Sequence, residues 1–208
     1  FKEYTNKPVD YPFKNVYITH SGIALKGLCI LKNSVFKNVS TWIFYKYAIY
    51  KRVTEPKIQI EEKNCLIIHN HWSSGYHHWV TEALTRLLVV DHKSYNLIIP
   101  EDYPEFALDS LHYFDFNSII RLPAQTGCFV KDVVIPPNPA SGHYNSHTLL
   151  QLKTVLTQNL KPTINNKNKK IYVSRKNAKV RKIENETDVI NLLQDNGYEI
   201  LYAEELSF

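Results

Sequence analysis

The sequence predicts an α/β protein from three observations. Short apolar runs closed by Gly or Pro alternate with segments of helical periodicity. The C-terminal end carries a complete strand-helix-strand pattern. The 208 residues are 44% apolar and 22% charged, which supplies a core and excludes a disordered chain.

The elements follow in order. Residues 1–14, with Pro8 and Pro12, read as an irregular lead-in, and 16–20 and 23–31 as strands of a hairpin around Ser21-Gly22. The aromatic-rich 41–53 is open between helix and strand. A strand is expected at 63–68, a helix over 76–90, a strand at 96–99 closed by Pro100, and a short helix at 104–113. Strands at 118–121 and 129–135 follow, the second stopped by Pro136-Pro137. A helix over 146–160 carries Leu149, Leu152, Val155 and Leu156 on one side. Residues 161–170 are polar, rich in Asn and Lys, and contain Pro162, so a domain boundary is expected near 165. Beyond it come a strand at 170–174, a helix over 186–196 with Asn185 as its cap and Gly197 as its stop, and a strand at 198–203. Domains of 1–165 and 166–208 result.

The net charge is +5, and it is local. Eight of the 25 Lys and Arg lie between positions 167 and 182, leaving 17 bases against 20 acids elsewhere. A nucleic-acid binder spreads its positive charge over a face or stripe, so the pattern favours a discrete anion site or a solvated loop. No apolar run approaches the ~18 to 20 residues that cross a bilayer. Cys29, Cys65 and Cys128 lack metal or disulfide spacing, which favours a reducing compartment. The expected location is the cytoplasm, including the inner membrane face, with a secretory lumen as the alternative for a eukaryotic source. The chain contains no Met, so it is expected to begin inside a longer or processed product.

Two constellations carry chemistry. On a helix over 76–90, His78, Glu82 and Arg86 recur every four residues beside two apolar rows, Trp79-Ala83-Leu87 and Val80-Leu84-Leu88. A solvated charge ladder explains Glu82 and Arg86 alone. An acid/base group at a helix start after a Gly-containing loop, where α/β sheets place ligands, points to catalysis. His69-x-His71 before it also permits a metal hydrolase, although further ligands at later strand ends are not evident. The second constellation is a strand ending in Ser174-Arg175, then Arg181, then Asn185-Glu186 at a helix start. Guanidinium forks and helix N–H groups there would cradle a diphosphate.

The run Gly75-Tyr76-His77-His78-Trp79 with Glu82 and Leu84-Thr85-Arg86-Leu87 resembles the signature of glycosyltransferase family 61. Gly142-His143-Tyr144-Asn145 is similar to a second motif of that family, and Tyr172-Val173-Ser174-Arg175 with Arg181 and Asn185-Glu186 to a third. The family's usual Pro is Thr85 here, and a usual aromatic is His77. The resemblance implies a GT-B-like architecture: a whole Rossmann-like, acceptor-side domain and the opening β-α-β unit of a nucleotide-sugar domain. It further implies an inverting transferase moving a sugar from a nucleotide-diphosphate donor, foremost a UDP-sugar, to a glycan hydroxyl. His78 would be the base or orient the acceptor, with Glu82 as its partner or the base itself. Arg175 and Arg181 would hold the diphosphate with Ser174, Asn185 and Glu186, and Arg86 would organise the cleft or pair with Glu82. No Asp-x-Asp occurs, so no metal or other cofactor is expected. A non-catalytic carbohydrate- or nucleotide-binding remnant is the third reading.

Overall fold

The computed structural model describes residues 12–36, 39–139, 145–158, 169–178 and 181–206. The described residues up to Gln158 form one compact unit and those from 169 form a second.

In the first unit, β1 (Phe13–Ile18) and β2 (Ala24–Lys26) form the expected antiparallel hairpin, Tyr17 facing Leu25. The second arm is shorter than expected, because the chain turns at Gly27 and returns as β3 (Cys29–Ile30). Residues left open between helix and strand form helix α1 (Thr41–Thr54). Its Phe44 and Ala48, four residues apart, pack beneath the hairpin with Tyr17, Leu25 and Phe36, and this docking overrides the strand preference of its aromatics.

The expected strand at 63–68 is resolved differently. Strand β4 (Lys57–Ile60), not foreseen, pairs parallel with one stretch of β8 (Gly127–Val134), and β5 (Cys65–Leu66) with the next. Strands β6 (Asn96–Pro100) and β7 (Ser118–Leu122) extend the parallel part. The sheet runs β3-β2-β1-β8-β5-β6-β7, with β4 also beside β8, and β1 is antiparallel to β8. This is a mixed, Rossmann-like α/β sheet whose parallel core carries an antiparallel hairpin. Strand β6 is buried at all five positions, as an interior parallel strand must be. Along β1, Val16 and Ile18 face one core with Ile67, Ile98 and Cys128, while Tyr17 faces the other. Cys65 and Cys128 are buried, whereas Cys29 on the edge strand is exposed.

The expected helix over 76–90 is three successive turns of different pitch. A turn of α-helix, α2 (Tyr76–His78), passes into a π turn (Trp79–Ala83) and then a 3-10 segment (Leu84–Val89). The short helix at 104–113 is α3 (Glu105–Ser110) followed by a 3-10 turn. Helix α4 (Ser146–Thr157) starts at Asn145, whose side chain accepts from the Thr148 N–H at 3.2 Å, and it packs against the 84–89 segment.

In the second unit, β9 (Lys170–Ser174) and β10 (Tyr198–Tyr202) pair in parallel across α5 (Glu186–Asp195). Asn185 sits at the N-cap position, but its side chain makes no capping bond there, contrary to expectation. No helix of the described residues is long and apolar enough to cross a membrane.

Candidate functional site

Because β5, β6 and β8 run parallel, their C-terminal ends share one sheet edge, where α/β sheets place ligands. The loop leaving β5 is fixed by its own side chains. The Asn70 N–H donates to Ser73 Oγ at 2.8 Å, and Asn70 Oδ1 accepts from the Trp72 N–H at 2.9 Å. Asn70 Nδ2 reaches Asn138 Oδ1 beyond β8 at 3.2 Å. From the other side, Gly22 of the β1–β2 turn presses on His69. It has φ +82°, and a Cβ there would lie 2.5 Å from the His69 carbonyl oxygen, so only glycine fits.

This loop delivers His78 and Glu82. His78 Nδ1 lies 2.9 Å from Glu82 Oε2, as the four-residue spacing anticipated. Glu82 is 0% exposed, and its Oε1 has no hydrogen-bond partner, while the His78 side chain stays 30% exposed. The carboxylate is thus committed to one imidazole nitrogen. An Nδ1–H donated to Glu82 leaves the Nε2 lone pair to meet a substrate proton. The imidazole ring is 5.3 Å from Trp72 and 6.3 Å from Phe36, and these two rings stack on each other at 4.5 Å. Trp79, fully buried, anchors the π turn by donating from Nε1 to Ser110 Oγ at 2.7 Å. A π turn is uncommon and concentrates at functional sites, and here it lies at the carboxylate itself.

Arg86 does not join this pair. Its guanidinium, 2% exposed, donates to the carbonyls of Ile68 (2.5 Å), Asn33 (3.3 Å) and Pro136. Burial pushes its pKa down to about 9, and the Glu82 charge partly opposes this. Among the described residues no ion pair links the two. Arg86 therefore ties the chain beyond β5 to that beyond β8, and of the two roles expected of it, organising the cleft or pairing with Glu82, the pairing is replaced by bonds to carbonyls.

The histidines of the alternative metal reading have separate surroundings. His69 is buried against Tyr103, ring centroids 5.5 Å apart, whereas His71 contacts Tyr47 and Phe44 edge-on. Burial, aided by His20 and Arg86, pushes the His69 pKa down to about 3 against the opposing pull of backbone groups of His20 and Ile98. Burial lowers that of His71 as well. Among the described residues no three His, Cys, Asp or Glu come together as metal ligands.

In the second unit the end of β9 meets the start of α5. Glu186 Oε1 accepts from the Arg175 N–H at 2.6 Å, Ser174 Oγ at 2.9 Å and Tyr172 Oη at 3.0 Å. Burial raises the Glu186 pKa, but these bonds outweigh it and the carboxyl lies below its usual value. Arg175 Nε donates to the Arg181 carbonyl at 2.9 Å, and Arg181 has φ +55°. Ser174, Arg175, Arg181, Asn185 and Glu186 are thus gathered at one corner, with the Glu186 carboxylate taking the Ser174 hydroxyl. Residues 142–144 of the second motif lie outside the described residues.

The family model described as Glycosyltransferase 61 matches residues 76–208, which include both constellations. The chain belongs to glycosyltransferase family 61. No curated protein and no solved structure matches it. The match begins at Tyr76, so His78 and Glu82 fall within the family 61 region, while Trp72 and the Asn70 loop that support them precede it. Sequence reasoning missed Phe36, Trp72 and Asn138. Only Trp72, in the loop before His78, offered a local sign.

Proposed function

We propose that this family 61 protein is an inverting, GT-B-like glycosyltransferase in which His78, held by Glu82, is the general base. The observation that carries the reading is the buried Glu82 carboxylate bonded to a partly exposed His78. A carboxylate with no exposed surface does not meet an acceptor hydroxyl, whereas His78 does, so Glu82 is the positioning residue and His78 the base. The acceptor oxygen attacks the anomeric carbon as its proton passes to His78 Nε2. The bond from that carbon to the phosphate oxygen breaks, and the electron pair leaves with the nucleoside diphosphate. Glu82 fixes the imidazole tautomer and stabilises the imidazolium that forms, as carboxylates do beside catalytic histidines.

In the same reading, Arg175 and Arg181 neutralise the leaving diphosphate, a role supported by guanidinium forks at a strand end next to a helix start. Ser174 and Glu186 shape that corner, since their polar atoms already bond to each other. The donor is a nucleotide-diphosphate sugar, with a UDP-sugar first in order, and the acceptor is a glycan hydroxyl. Metal independence is proposed from the lack of any Asp-x-Asp motif. Incubation with a panel of UDP- and GDP-sugars and glycan acceptors tests the reading. Acceptor-dependent release of the nucleoside diphosphate, with the new linkage inverted by NMR, is expected. A retained linkage, or release indifferent to acceptor, overturns it.

A further inference from the structure

Helix α1 is apolar on both sides. Phe44 and Ala48 are buried against the sheet, while Trp42, Ile43, Tyr50 and Val53 are 59, 64, 63 and 76% exposed. At 3.6 residues per turn, Trp42, Ile43, Tyr50 and Val53, with Lys46 among them, span about 100° of the helix circumference and about 16 Å of its length. Trp42 stacks on Tyr45 at 5.8 Å, with Lys46 Nζ 5.1 Å from its ring.

The charge of this face has one sign. Of the bases in residues 41–54, Lys46 lies on this face while Lys51 and Arg52 lie further round the helix, and the segment contains no acid. Glu55, the next residue, turns inward and is buried, accepting from Tyr17 Oη at 2.7 Å and the His20 N–H at 3.2 Å. We propose that the outer face of α1 seats the protein on an anionic lipid bilayer. Ile43 and Val53 would enter the acyl boundary, Trp42 and Tyr50 would sit at headgroup depth, and Lys46 would meet lipid phosphates. A polyanion such as nucleic acid requires several cations on the contact face, and here Lys46 stands among four large apolar residues. A second copy docking by two-fold symmetry would press this cation-centred face onto itself, Lys46 towards Lys46. The proposal uses no residue of the His78 or Arg175 constellation, so it stands whether or not the transferase reading does.

Co-sedimentation of the full chain with phosphatidylcholine vesicles, with and without phosphatidylglycerol, tests it. Binding is expected with phosphatidylglycerol only and should weaken as salt is raised. Replacing Trp42, Ile43, Tyr50 and Val53 together by Ser should weaken it about 10-fold or more while the folded state persists, because all four are exposed. Lys46→Glu should also weaken binding and leaves the apolar residues in place. Absence of binding to the anionic vesicles, or undiminished binding by either variant, overturns the proposal. A dimer by sedimentation velocity that the quadruple variant dissociates would assign the face to a second copy instead.

Discussion

Replacing Arg86 by Met separates a structural role from a substrate-binding one. The guanidinium donates to the carbonyls of Ile68, Asn33 and Pro136, all at or near strand ends, and is nearly inaccessible. Met fills most of the volume but donates nothing. Each buried carbonyl left without a donor costs about 1–3 kcal/mol. The Asn33 bond, at 3.3 Å, is the longest and contributes least. Against this stands the gain from no longer burying a cation, whose cost is evident in the lowered Arg86 pKa. The balance is a loss of about 3 kcal/mol, a large share of the ~5–15 kcal/mol that holds a domain together. Urea unfolding followed by circular dichroism measures it. Arg86→Lys, with one ammonium in place of a planar fork, should fall between wild type and Arg86→Met. A loss below about 1 kcal/mol for Arg86→Met would show that water replaces the bonds. Unchanged stability with abolished transfer would make Arg86 a substrate ligand and refute the reasoning.

Three further outcomes are expected. His69, buried and with its pKa pushed down to about 3, lies below the ~6.5 of an unfolded histidine, so the unfolded chain takes the proton first as pH falls. Stability should drop from pH ~6.5 towards 3 by up to about 1.4 kcal/mol per unit. Urea midpoints of His69→Asn should fall less steeply, and parallel curves would contradict this. His78→Ala should lower kcat about 10²-fold or more with the thermal midpoint little changed, and a loss confined to KM would leave His78 only an acceptor-orienting group. Transfer should survive EDTA, and inactivation restored by a divalent cation would count against metal independence.

Much of this architecture is local and was legible. The helix starting at Asn145, the buried strand Asn96–Pro100 and the parallel pair flanking Glu186–Asp195 each announce themselves through periodicity and stop residues. His78 and Glu82 were legible for the same reason, since a four-residue spacing places them on one side of a helical turn. The fate of Arg86 was not, because its acceptors are 18, 50 and 53 positions away and no local pattern records them. Strand β4 escaped notice because three of its four residues are exposed and it is short. The π turn changes the backbone pitch without changing the apolar pattern of Trp79–Ala83. At Asn185 a capping residue type was present, yet the neighbouring Glu186 made the bonds to the β9 end instead.

The His78–Glu82 pair is tested most directly by the turnover of Glu82→Gln with a nucleotide-sugar donor and its acceptor. Gln keeps the shape of the buried side chain but removes the charge that holds the Nδ1–H tautomer and stabilises the imidazolium. The expected result is a kcat lower by about 10²-fold or more, with KM for the acceptor and the thermal midpoint nearly unchanged. Turnover close to wild type in a folded Glu82→Gln protein would contradict it.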